Sequence, residues 1–123
     1  MHWIIWVDIR VLPRYILSMN TDNEIVGLLQ RYFANKKNVQ KVLLFGSYAR
    51  NTQTKRSDID VIIIMETEKR FFDRYDEFSD IYSVVKIPCD MLIYSTKEWH
   101  EMCSRKFIKN ITKESKEIYV SGE

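Results

Sequence analysis

Three aspartates carry most of the chemistry that this 123-residue sequence offers. Asp58 and Asp60 are two residues apart at the start of an apolar run, and in a strand such residues point to the same face of the sheet. At ~4 Å and an effective dielectric of ~20, two carboxylates repel each other by about 4 kcal/mol. A divalent cation removes this repulsion, and oxygen ligands without nearby His or Cys favour Mg²⁺ or Mn²⁺.

A Gly-Ser pair precedes these carboxylates and fits a phosphate-binding turn. Gly46 and Ser47 follow an apolar run, where glycine lets the backbone approach a ligand and the next N–H groups can open a helix. We expect the Ser47 hydroxyl to donate to a β- or γ-phosphate oxygen. Asp90 lies in a later apolar segment, where a carboxylate needs a partner. If that segment pairs with the Asp58–Asp60 strand, Asp90 completes a three-carboxylate metal site and can act as general base.

Short apolar runs predict the strands that must hold these side chains. Residues 42–45 and 59–64 are predicted to be buried strands in the centre of a sheet, and residues 87–94 to be a third strand. Helical periodicity predicts helices from Ile25 to about residue 35 and, through an aromatic stripe, over residues 71–82. Ser95 and Glu98 form a capping-box pattern that opens a further helix. The helical apolar spacing of three isoleucines continues nearly to the C-terminus: Ile108, Ile111 and Ile118.

The N-terminal region fits the rest of the chain poorly. Residues 1–18 are an extension of doubtful status, whereas residues 19–123 are predicted to form one domain. A capping-box pattern at residues 21–24 makes Met19 a candidate natural start. Equally, the apolar cluster at residues 3–6 fits an added strand or a dimerising arm. The extension has neither the charge pattern of a signal peptide nor the length of a membrane span.

Composition bounds the class of protein. The sequence is 46% hydrophobic and 29% charged, with 3 Gly and 2 Pro, which is typical of a compact single domain. A formal net charge of +2 is too small to predict sequence-independent nucleic-acid binding, so we expect no direct contact with nucleic acid. No membrane contact is expected either, because the N-terminal apolar segment is too short and too interrupted by charge to span one. Cys89 and Cys103 lack the spacing of a disulfide framework or a zinc site. Both are predicted to be reduced, buried thiols in a cytoplasmic protein.

The combined motif resembles a known family. Gly-Ser-Tyr-Ala-Arg is followed by Ser-Asp-Ile-Asp, with ten residues between Ser47 and Asp58, which is similar to the minimal nucleotidyltransferases of the DNA polymerase beta superfamily. The resemblance covers residues 21–119 and implies the nucleotidyltransferase fold. That fold is α+β, with a small mixed sheet of three to four strands flanked by helices on one side. Asn51 stands where the family usually has Gly, but Asn tolerates left-handed dihedrals, so the turn is expected to persist.

The resemblance also implies roles for individual residues. It implies metal ligation of two Mg²⁺ ions by Asp58, Asp60 and Asp90, activation of the attacking hydroxyl by Asp90, and ATP as substrate. The predicted nucleotide-binding set is Gly46, Ser47, Arg50 and Ser57. Structural alternatives remain open at this stage: Asp58 could cap a loop, Asp60 could pair with Arg50 or Arg56, and Arg50 could serve a salt bridge instead of a phosphate.

Stand-alone proteins similar to this one are commonly the antitoxin of a two-gene pair whose toxin is a helical HEPN ribonuclease. The resemblance therefore implies AMP transfer from ATP to a tyrosine hydroxyl of a HEPN-type partner, within a homo- or hetero-oligomer. Two alternatives stand beside it. One is a binding module that neutralises its partner by docking without catalysis, and the other is a small-molecule nucleotidyltransferase of the aminoglycoside-modifying kind that needs a second subunit.

Overall fold

The computed structural model describes residues 24–121, which form four strands, four α-helices and two 3₁₀ segments. In chain order these elements are α1 (Glu24–Ala34), β1 (Val39–Phe45), a 3₁₀ turn (Gly46–Tyr48), β2 (Ile59–Met65), a 3₁₀ helix (Phe71–Phe78), α2 (Ile81–Val85), β3 (Cys89–Ser95), α3 (Thr96–Met102), α4 (Lys106–Glu114) and β4 (Lys116–Val120). The predicted N-terminal extension lies outside the described residues, and so does most of the capping-box pattern at residues 21–24.

The four strands form one mixed sheet in the order β3-β2-β1-β4. β1 is antiparallel to both β2 and β4, whereas β2 and β3 are parallel and are joined by the 3₁₀ helix and α2. The two strands predicted to be central, β1 and β2, occupy the centre because their continuous apolar runs are buried on both faces. The α+β class and the small mixed sheet are confirmed.

Alternate residues of β2 enter two separate apolar clusters. Ile59, Val61 and Ile63 join the larger cluster together with α1 and Phe78. Ile62 and Ile64 point to the other face and form a smaller cluster with Leu43. That second face was expected to lack helices, but side chains of α3 and α4, Trp99 and Ile111, pack against the smaller cluster. Helices therefore cover part of both faces of the sheet.

The aromatic stripe at residues 71–82 does not form one amphipathic α-helix. Residues Phe71–Phe78 are 3₁₀ and only Ile81–Val85 is α-helical, while the last member of the stripe, Tyr82, is 55% exposed. Phe, Tyr and Asp dominate this segment, and all three have modest helix propensity. Tertiary bonds to β3 fix it instead, because the Tyr75 hydroxyl donates to the Met91 carbonyl at 2.6 Å. Packing on the sheet edge thus decided the local structure.

The predicted helical face that included Ile118 was also wrong in its last part. α4 ends at Glu114, Ser115 is extended, and Ile118 lies buried in β4. The seven-residue spacing from Ile111 to Ile118 matches a helical repeat, but the same stretch pairs antiparallel with β1. This pairing satisfies backbone groups along β1 that a helix would have left without partners.

The predicted capping box of α3 is present and is joined to a buried arginine. The Ser95 hydroxyl accepts from the Glu98 N–H, and the Glu98 carboxylate accepts from the Ser95 N–H. The same carboxylate receives two hydrogen bonds from Arg74, at 2.7 and 3.0 Å. Arg74 is only 5% exposed and also donates to the carbonyls of Lys69 and Ile93. One ion pair therefore ties the 3₁₀ helix, β3 and α3 together.

Within residues 24–121, no helix has the length and hydropathy needed to cross a membrane. Both cysteines are free thiols, as predicted. Their predicted burial is only partly right, because Cys89 is half-buried and Cys103 is exposed on the turn after α3.

Candidate active site

Strand register brings two of the predicted carboxylates side by side. Asp60 of β2 is the direct partner of Asp90 in the parallel pairing with β3. Asp60 is also opposite Phe45, the last residue of β1, so the carboxylate lies where β1 turns away from the sheet. Asp58 immediately precedes β2. Asp90 was expected to join the other two aspartates only if its strand paired with the strand of Asp60, and the structure shows this pairing.

Gly46 lies against the Asp60 carboxylate. Its φ is +74°, a left-handed conformation that favours glycine. A Cβ built on Gly46 would lie 2.4 Å from Asp60 Oδ2, which is closer than van der Waals contact permits. The absence of a side chain at Gly46 therefore lets the backbone of the Gly-Ser turn approach the carboxylate. Ser47, the next residue, is half-buried in the same 3₁₀ turn.

The carboxylates at this site disfavour one another's charge. The pKa of Asp60 is raised above its usual value, first by burial and then by the charges of Asp90 and Asp58 and a hydrogen bond with Asp90. Arg50 has the opposite effect and lowers the pKa of Asp60, which places its guanidinium near the carboxylate. A bound cation would favour the ionised carboxylates, because its positive charge opposes their mutual repulsion.

The loop between the 3₁₀ turn and β2 keeps the predicted turn at Asn51. Its φ is +58°, as expected for an Asn that replaces the Gly of related sequences. Arg50 is exposed, and no ion pair between described residues involves it. Ser57 stands apart from the other nucleotide-binding candidates, because its hydroxyl accepts from the Thr54 N–H at 2.8 Å within the loop. This hydrogen bond holds the loop, and a hydroxyl that accepts can still donate its own hydrogen, so nucleotide binding by Ser57 stays a prediction.

Sequence reasoning treated Cys89 as a core residue, but its thiol lies close to the carboxylates. Its pKa is raised to about 11, first by burial and then by the charges of Asp90, Asp58 and Asp60. Its position directly before Asp90 in the sequence could have indicated that the thiol lies near the carboxylates. A thiol with a raised pKa is mostly protonated at neutral pH, so it adds no further negative charge to the site.

The donor set fits a hard divalent cation that is completed by substrate. In residues 24–121, no three His, Cys, Asp or Glu side chains form a group that could hold a metal ion by themselves. Mg²⁺ commonly binds through one or two carboxylates together with substrate phosphates and water, so a closed protein cage is not required. The exposed carboxylates of Asp58 and Asp90 beside the half-buried Asp60 offer such an open arrangement.

The amino-acid sequence is similar to a known family and to several named proteins. Residues 28–123 match the family model described as Polymerase beta, Nucleotidyltransferase. One protein of Methanocaldococcus jannaschii, named as a protein adenylyltransferase, is 38% identical over 72 residues, which cover 54% of this chain and 74% of the relative. A second one from the same organism and with the same name is 27% identical over 100 residues, covering 78% of this chain and 92% of the relative.

Solved structures agree with the fold. The crystal structure of a toxin-antitoxin with AMP-PNP has a TM-score of 0.53 at 21% identity, covering 83% of this chain and 75% of that chain. A mutant of the MntA-HpeT toxin-antitoxin has a TM-score of 0.51 at 19% identity, covering 84% and 75% respectively. At this identity the likeness shows a shared fold. Together with the family match and the relatives, these findings show that the chain belongs to the polymerase beta nucleotidyltransferase family and is a nucleotidyltransferase.

Proposed function

We propose that this chain is an antitoxin that transfers AMP from ATP to a tyrosine hydroxyl of a HEPN-type toxin in a Mg²⁺-dependent reaction. The observation that carries the proposal is the pairing of Asp60 with Asp90 next to the close approach of Gly46. The names of the relatives support a protein acceptor. The AMP-PNP in a structure of the same fold supports an adenine nucleotide as the donor.

Asp58, Asp60 and Asp90 are the residues that would hold two Mg²⁺ ions, or Mn²⁺ in their place. When bound, the metal supplies Lewis-acid stabilisation of the charge on the attacking and leaving oxygens. The backbone at Gly46 and the Ser47 hydroxyl would position the triphosphate next to Asp60, because the turn at Gly46 lies directly against that carboxylate. Arg50 is exposed, and its charge acts on Asp60, so it would add a positive charge near a triphosphate bound there.

The transfer step uses Asp90 as general base. The exposed Asp90 carboxylate accepts the proton of the attacking tyrosine hydroxyl as the new bond forms between the tyrosine oxygen and the α-phosphorus. The bond from the α-phosphorus to the bridging oxygen breaks, and pyrophosphate leaves with that electron pair. The products are an AMP-tyrosine phosphodiester on the partner and free pyrophosphate.

Label transfer tests this proposal directly. ATP labelled at the α-phosphate should label the partner toxin, whereas ATP labelled at the γ-phosphate should not, because the γ-phosphate leaves with pyrophosphate. Asp58→Ala should abolish labelling while the protein keeps its fold by circular dichroism. Labelling by γ-labelled ATP would indicate phosphorylation instead, and full activity of Asp58→Ala would contradict the assignment of the metal ligands.

A non-catalytic antitoxin is the second candidate function. It would inhibit the toxin by docking alone, and Asp58→Ala would then inhibit the toxin as well as the wild type does. The raised pKa of Asp60 argues against it, because a pure docking module gains nothing from carboxylates that destabilise one another. A small-molecule acceptor, the third alternative, predicts label in a low-molecular-weight product and none in protein.

A further inference from the structure

α4 presents an exposed row of lysines. Lys106, Lys109 and Lys113 are spaced i, i+3 and i+7, which aligns them on one face of the helix, and all three are exposed. No ion pair between residues 24–121 includes any of them. Arg105 and Lys116 add positive charge at the two ends of the helix. The row therefore presents uncompensated positive charge on the surface.

An aromatic side chain lies at the edge of this row. Phe107 is 67% exposed although it is flanked by Lys106 and the buried Ile108. In protein complexes aromatic residues are enriched at the centre of interfaces, where they fill apolar recesses. Phe107 could therefore insert into an apolar recess of a partner, while the neighbouring lysines would favour a partner of negative charge.

The helix that carries this surface is held firmly on the sheet. Ile108 is 2% exposed, and Ile111 packs against the apolar cluster that contains Ile62 and Ile64. Side chains of a strand alternate between faces, so Asp60 of β2 lies on the same face as these two isoleucines. The lysine row and Phe107 are therefore presented on a rigid helix above the sheet face that carries the Asp60 carboxylate.

We infer that the surface formed by Lys106, Phe107, Lys109 and Lys113 docks the protein acceptor, through an acidic patch with an apolar recess for Phe107. This inference rests on the proposed function, since it names the side from which the acceptor approaches the site. A nucleic acid is the other polyanion that a lysine row can bind. The formal net charge of +2 is low for a nucleic-acid-binding domain, and Phe107 favours a partner with an apolar recess.

The test measures AMP transfer against partner-toxin concentration. Lys106→Glu/Lys109→Glu/Lys113→Glu should raise the KM for the toxin roughly tenfold or more, and Phe107→Ala about fivefold, because both remove docking contacts. The kcat at saturating toxin and the KM for ATP should stay within about twofold, since uniform binding energy is lost without a change in the chemical step. Lys109→Glu alone should also raise the KM for the toxin, whereas its matched single-charge control Lys37→Glu, at an exposed lysine beyond the C-terminus of α1, should not.

Binding measured without chemistry separates this inference from the proposed function. In isothermal titration of the toxin into the inactive Asp58→Ala protein, adding Phe107→Ala should weaken binding about fivefold, as it raises the KM. Added salt should weaken binding to Asp58→Ala more than binding to the same protein that also carries the three lysine substitutions. Unchanged affinity in every α4 variant would overturn the docking surface, whether or not AMP transfer occurs. A second outcome would also overturn the docking surface: the protein binds a labelled single-stranded RNA tightly, only the triple-lysine variant loses this binding, and the affinity for the toxin is unchanged. The lysine row would then be a nucleic-acid surface.

Discussion

Replacing Gly46 with alanine should lower the free energy of unfolding by about 1–2.5 kcal/mol. At φ +74° an L-residue costs about 1–2 kcal/mol, and the new Cβ must displace the Asp60 carboxylate, the movable end of its side chain, which is at the low end of overpacking costs, about 1 kcal/mol. The reduced freedom of the unfolded chain returns only about 0.4–1 kcal/mol, so destabilisation wins. Urea unfolding followed by circular dichroism measures the change.

A double-mutant cycle isolates the contact with the carboxylate. In an Asp60→Ala background the carboxylate is gone, so Gly46→Ala should then cost about 1 kcal/mol less, because only the backbone and unfolded-chain terms remain. The difference between the two backgrounds is the energy of the contact between the glycine and the carboxylate. An equal cost in both backgrounds, or no cost in either, would refute the close approach of the Gly-Ser turn to Asp60.

Three further predictions concern the ion pair and the cap that join the 3₁₀ helix to α3. Arg74→Met should lower the free energy of unfolding by about 2–4 kcal/mol, because the carbonyls of Lys69 and Ile93 and the Glu98 carboxylate lose their hydrogen-bond donor. Lys41→Met, in the half-exposed ion pair with Glu117, should cost under about 1 kcal/mol in the same urea unfolding experiment. The hydrogen bond from Arg74 lowers the pKa of Glu98 from 4.5 to about 2, so its stabilisation is complete above pH 4.5 and is lost as pH falls toward 2. Because the Glu98 side chain is 42% exposed, that loss should be on the order of 1 kcal/mol, and it should vanish in Glu98→Gln. Ser95→Ala removes the cap of α3 and should cost about 1 kcal/mol, measured in the same way. Ser104→Ala, at an exposed serine on the turn after α3, is a control that should change little.

The two central strands could be predicted from sequence, because a continuous apolar run has few other stable positions in a fold of this size. Continuous apolar runs are stable only in the middle of a sheet, and two aspartates spaced by one residue share a face. The pairing of Asp60 with Asp90 was predicted only conditionally. Register between parallel strands depends on the whole crossover, which local sequence does not encode.

The errors fall where tertiary contacts outweigh local pattern. The 3₁₀ helix at Phe71–Phe78 is held by bonds to β3, and periodicity does not report such bonds. Ile118 satisfies a helical repeat and a strand equally well, and the open edge of β1 decides between them. The close approach of Gly46 to Asp60 is a contact between two elements and is visible only in three dimensions.

Intact-mass spectrometry of the partner toxin tests the central claim most directly. The toxin is incubated with this chain, ATP and Mg²⁺, in parallel with an Asp60→Asn variant that keeps the shape of the side chain but removes its charge. A mass gain of one or more AMP units, mapped to a tyrosine and absent with Asp60→Asn, is the predicted result. An unmodified toxin that nevertheless binds this chain tightly would contradict adenylyl transfer as the function of the site.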